Sequence, residues 1–161
     1  MRIYIMTDLE GVSGVMNYRD WCAADGRYYE VAKELLTNEV NAAVSGFFEG
    51  GAMEIVVADG HGAGAIDIRL LDPHVELSRG WPDGYPYGLN ESYDFIAWVG
   101  QHAKSGSEYA HLPHTGGFDI ADFRVNGRSL GEFGLLALCA GSLGVRSIFG
   151  SGDMAFAKES R

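Results

Sequence analysis

Residues 2–7, Arg-Ile-Tyr-Ile-Met-Thr, form an apolar run with little alternation, the pattern of a strand buried on both faces. Similar runs cover 54–58, 95–100 and 145–149, and a shorter strand candidate lies at Val75–Leu77. From Tyr29 to Phe48 the period changes. Leu36, Val40, Ala43, Val44 and Phe47 share one helical face, and Gly50-Gly51 stops the helix. Asn126-Gly127 separates residues 122–125 from 128–130, a strong hairpin signal. A second helix is expected from Glu132 to Ala140, with Leu135, Leu136 and Leu138 partly buried. Glycine-rich loops fill 11–27, 60–92 and 103–121. Strands alternating with helices predict an α/β fold. Its mainly parallel sheet is flanked by helices and carries long active-site loops and one β-hairpin.

The length, 161 residues, suits one domain with a sizeable core. With 47% hydrophobic and 21% charged residues, the composition is that of a globular protein. A net charge of −10 argues against nucleic acid as a partner. No stretch approaches the ~20 apolar residues of a membrane span, and the N-terminus lacks a signal-peptide pattern. Cys22 and Cys139 are too few and too far apart for a disulfide framework or a thiolate zinc site, so a reducing cytoplasm is expected. Residues 155–161 read as the opening of a helix without a terminator. The expectation is one α/β metal-binding catalytic domain, 1–161, forming the N-terminal portion of a longer chain.

The candidate chemistry gathers where apolar runs end. Asp8 and Glu10 follow the first run, His61 the second and His102 the third, while Glu132 follows the hairpin. If the runs are parallel strands, their carboxyl ends share the sheet edge at which open α/β folds bind ligands. Three carboxylates and two imidazoles there suit one or two divalent metals. Each residue also has a local reading. Asp8 and Glu10 can cap the turn at Gly11, His61 and His102 can be exposed loop residues, and Glu132 can complement a helix dipole. Asp59 can orient a ligand or cap its turn, and Asp153 also follows a strand. His111 and His114 share one loop, and either can serve as acid, base or electrophile. His74 is expected to be exposed.

Met6-Thr7-Asp8-Leu9-Glu10-Gly11-Val12-Ser13-Gly14 resembles the opening signature of the zinc-dependent D-aminopeptidases. Ala58-Asp59-Gly60-His61, Gly100-Gln101-His102-Ala103 and Val125-Asn126-Gly127-Arg128-Ser129-Leu130-Gly131-Glu132-Phe133-Gly134 match that family in order. The resemblance implies two zinc ions per subunit. Asp8 matches the bridging ligand, and Glu10, His61, His102 and Glu132 match the other ligands. His114, twelve residues after His102, matches the catalytic histidine. Gln101 stands where the family often has an aromatic residue. The segment from His102 to His114 is one residue longer, which makes His111 a rival. The family's large second half is absent. The resemblance also implies a ring-like homo-oligomer acting on short peptides.

The expected activity is removal of N-terminal, D-configured residues from short peptides or amides, with a zinc-activated water as nucleophile. Two rivals stand beside it. One is another dinuclear metallohydrolase, an amidase or phosphoesterase, although Lys104 is the sole base near the site loops. The other is a truncated, non-catalytic domain that binds metal or only assembles. In the loop from Gly60 to Ser92, Trp81, Tyr85, Tyr87 and Leu89 form either a subunit contact or a lid over their own site.

Overall fold

The computed structural model describes residues 1–81 and 84–161. Its elements run β1 (Arg2–Thr7), α1 (Tyr29–Glu49), β2 (Glu54–Asp59), β3 (Glu76–Ser78), β4 (Phe95–Gln101), β5 (Arg124–Val125), β6 (Arg128–Ser129), α2 (Glu132–Ser142), β7 (Arg146–Gly152) and α3 (Met154–Glu159). A single π-helical turn at Tyr18–Cys22 interrupts the first loop, with Asn17 capping it through the Asp20 amide. The five-stranded sheet has the order β3-β2-β1-β4-β7, and every pairing is parallel. The chain moves outward from β1 through β2 to β3, then returns to place β4 on the other side of β1. The order therefore reverses between β1 and β4, and a crevice opens there at the strands' carboxyl ends.

Strand periodicity divides the core in two. Ile3, Ile5, Ile55, Val57, Ala97 and Val99 face α1, against Leu36, Val40 and Val44. Tyr4, Met6, Val56, Ala58, Ile96 and Trp98 face the other side, against Leu136, Ala140 and Phe156. Burial of each large apolar side chain stabilises the fold by ~1.5–3 kcal/mol. This double coverage is why β1 reads as an unbroken apolar run.

Two expectations need correction. Leu138 is exposed, because Leu136 and Ala140, four residues apart, define the inner face of α2. The final run is an edge strand with a largely exposed surface, not a core strand: Ile148 and Phe149 are each 44% exposed, although Phe149 meets Phe47 of α1 edge-on. The hairpin forms as expected, with Asn126 at φ 51 and Gly127 at φ 80. Two residues of the 60–92 loop, Pro82 and Asp83, lie outside the described residues.

Candidate metal centre

The ends of β1 and β4 are held together tightly. The Asp8 amide donates to Val99 O at 2.9 Å, and the Gly11 amide to Gly100 O at 2.9 Å. A Cβ at Gly11 would collide with the Gln101 carbonyl, and one at Gly100, where φ is +77, with the Asp8 carbonyl. Only glycine permits this approach. It delivers Asp8, Glu10 and His102 to one spot. From β2, the Gly60 amide donates to Thr7 Oγ1 at 3.3 Å and brings His61 alongside. Glu132 comes from the first turn of α2, where its Oε1 accepts from the Gly116 amide at 2.7 Å.

Asp8 stands between two histidines. Its Oδ1 is 3.5 Å from His61 Nδ1 and its Oδ2 3.1 Å from His102 Nε2. Glu10 Oε2 lies 3.0 Å from His61 Nδ1, while Glu132 Oε1 lies 3.6 Å from His102 Nε2 and 3.9 Å from His114 Nε2. Two groups result, Asp8-Glu10-His61 and His102-His114-Glu132, each with ligand atoms within 4.8 Å of one another.

The far nitrogen of each imidazole is committed. His61 Nε2 donates to Cys22 O at 2.8 Å, His102 Nδ1 to Ala103 O at 2.8 Å and His114 Nδ1 to Leu112 O at 2.9 Å. A backbone acceptor on one nitrogen fixes the tautomer and leaves the other as a ligand atom. His102 Nε2 is buried and makes no hydrogen bond, although two carboxylate oxygens face it. A lone pair aimed at two carboxylates is repelled unless a proton or a cation lies between. The nitrogen–oxygen donor set and its orphaned nitrogen fit zinc.

The charges are strongly coupled. Burial alone would raise the Asp8 carboxyl, but the charge and close approach of His102, with His61 on its other side, hold it well below the usual range. Burial and the charge of Asp8 push Glu10 up. Burial lowers His61, yet its bonds to Asp8 and Glu10 prevail and raise it to about 11. His102 is raised to about 11, burial being outweighed by the charge of Asp8 close to its Nε2.

The other sequence candidates fall elsewhere. His111 Nε2 donates to Val15 O at 2.9 Å and joins neither group. Asp59 accepts from the Ala65 and Ile66 amides and pairs with Arg79, so it folds the loop behind His61 and touches no ligand. Asp153 caps α3 through the Phe156 amide, and His74 is exposed beside Asp72. Gln101 has a role that the sequence marked only as a departure: its Nε2 donates to Asp8 Oδ2 at 3.0 Å. Its place between Gly100 and His102, on a buried strand end, was the available signal. The Cys22 carbonyl, which orients His61, has none, since any residue supplies one.

A cavity of about 620 Å³ opens over the centre and is lined by Asp8, Glu10, His61, His114 and Glu132. Tyr85 and Tyr87 also line it, which places part of the 60–92 loop over the chain's own site. A larger hollow, about 810 Å³, lies between α1 and β7, but of the six sequence-proposed residues it touches only Glu10. Five of the six line the smaller one.

Known proteins resemble this chain in sequence and fold. A curated D-aminopeptidase of Bacillus subtilis (strain 168) is 30% identical over 165 residues, covering 99% of this chain and 58% of that protein. The solved structure of the Zn-dependent D-aminopeptidase DppA from Bacillus subtilis is described as a self-compartmentalizing protease. It matches with a TM-score of 0.94 and 28% identity, over 99% of this chain and 59% of that one. The chain thus spans somewhat over half the length of these relatives. All of residues 1–161 match the D-aminopeptidase family, and the chain belongs to that family.

Proposed function

We propose that residues 1–161 form the N-terminal catalytic portion of a dinuclear zinc D-aminopeptidase that removes N-terminal, D-configured residues from short peptides or amides. The observation carrying this reading is the placement of Asp8, one oxygen toward His61 and the other toward His102. Asp8 would serve both positions, with Glu10 and His61 holding one ion and His102 and Glu132 the other. Zinc bound there supplies Lewis acidity, which acidifies a water and polarises a carbonyl.

The chain's own residues do the rest. Gln101 holds Asp8 in its bridging orientation. His114 keeps Nε2 as an acceptor, because its Nδ1–H is tied to Leu112 O. It takes the proton of the attacking water at Nε2 and returns it to the departing amine. The self-compartmentalizing relative supports a homo-oligomer whose enclosed sites admit only short peptides. A cytoplasmic location goes with this reading, and among the described residues no helix is long and apolar enough to cross a membrane.

The test combines anomalous scattering at the zinc edge with assays on D-alaninamide, L-alaninamide and a phosphate monoester. Two zinc peaks flanking Asp8 and preference for the D-amide are expected. Faster cleavage of the phosphate ester would replace the reading with a phosphoesterase.

A further inference from the structure

The cavity has an apolar wall that the metal centre does not explain. Tyr18, Phe118, Ile120 and Phe123 line it, and these side chains are 44%, 56%, 37% and 40% exposed. Large apolar groups left open in one concave patch mark a binding surface. Their order is specific. Phe118 stacks on His114 with centroids 4.5 Å apart and planes 26° from parallel. His114 in turn stacks on His102. Tyr18 meets Phe118 edge-on at 5.2 Å and 80°. A row of rings thus runs from the metal centre into the cavity, and the apolar surface begins one ring beyond the proton-carrying histidine. Among the described residues no Lys or Arg lines this cavity, so a side-chain carboxylate turned to the apolar wall would meet no cationic side chain.

We infer that Tyr18, Phe118, Ile120 and Phe123 form the pocket for the substrate's side chain and select an apolar, above all aromatic, residue beside the scissile bond. The inference rests on the hydrolase reading and supplies its substrate class. An aromatic side chain here gains stacking as well as burial, whereas a methyl group leaves the wall exposed.

The experiment measures binding of D-phenylalaninol and D-alaninol, which carry no scissile bond, to the zinc-loaded protein by calorimetry. It also measures kcat/KM for D-phenylalaninamide, D-alaninamide and the α-amide of D-aspartic acid. The phenyl ligand is expected to bind at least about tenfold tighter than the methyl one. That ratio should shrink to about twofold in Phe118→Ala and Tyr18→Ala and largely recover in Phe118→Leu. Circular dichroism verifies that each variant is folded. The aspartyl amide should be the poorest substrate. Equal binding of the two alcohols, binding of neither, or a ratio unchanged in both alanine variants would overturn the pocket. Selective binding with no hydrolysis of any amide would keep the pocket and remove the aminopeptidase reading. Hydrolysis without side-chain preference would do the reverse.

Discussion

The imidazole of His114 lies flat on that of His102, with centroids 3.7 Å apart and planes 13° from parallel. The two residues belong to the ends of one loop, which closes when the His114 amide donates to Ala103 O at 3.2 Å. Both rings use Nδ1 to bind a backbone carbonyl, and both turn Nε2 toward the same oxygen of Glu132. His114 can therefore act on a proton or join the second metal position, and its geometry is compatible with either.

His114→Ala separates those roles. As a proton carrier, its loss should leave two zinc ions per chain and lower kcat by ~10²–10⁴-fold. Elemental analysis alongside single-turnover hydrolysis of a D-aminoacyl amide reads both quantities. A fall to one zinc would reassign His114 as a ligand. An activity loss in His111→Ala instead would contradict the structure, where His111 binds the Val15 carbonyl.

Asp8→Ala should cost more metal than any other single change, because each oxygen of Asp8 faces a different group. Glu10→Ala or Glu132→Ala should weaken one position and spare the other. Zinc content after exhaustive dialysis compares the three. If Asp8→Ala retains both ions, the bridging assignment fails.

Proton release gives an independent reading. In the metal-free chain His61 and His102 are raised to about 11, against ~6.5 for an unfolded imidazole. Both sit above their unfolded value, so their contribution to metal-free stability is complete below about pH 6.5. It is lost as pH rises through about 11. Zinc takes the place of those protons. Titration with zinc near pH 8 should release about two protons per chain, and apparent affinity should rise with pH. Calorimetry in buffers of different ionisation enthalpy counts them. No release would mean that the imidazoles are not ligands.

The parallel strands and the clustering of strand-end side chains were legible because burial on both faces writes itself as an apolar run, and polarity returns abruptly where the crevice opens. Asn126-Gly127 was legible because its backbone geometry demands those residues. The edge position of β7 was not. Ile148 and Phe149 look like core residues in sequence, and only the sheet order shows that they lie on an edge strand and stay partly exposed. The apolar cavity wall was equally hidden, since Tyr18 and Phe118 lie 100 positions apart and meet only when two loops fold over the same strand ends.

Gln101 offers the sharpest test of how the backbone supports the centre. Its peptide is enclosed on both sides, because a Cβ at either Gly11 or Gly152 would strike its carbonyl. With the backbone so confined, the side chain is aimed at Asp8 Oδ2, to which it donates at 3.0 Å. Gln101→Leu keeps the volume and removes the donor. A residue that orients a metal ligand typically contributes ~10–100-fold in affinity, and zinc binding should weaken by that factor. Gln101→Glu should be worse, since it adds a third buried carboxylate beside Asp8 and Glu10 and favours protonation over metal binding. Competition with a chelator measures the affinities, and thermal unfolding of the metal-free forms checks the fold. Wild-type affinity in Gln101→Leu would mean that His61 and His102 alone hold Asp8 in place.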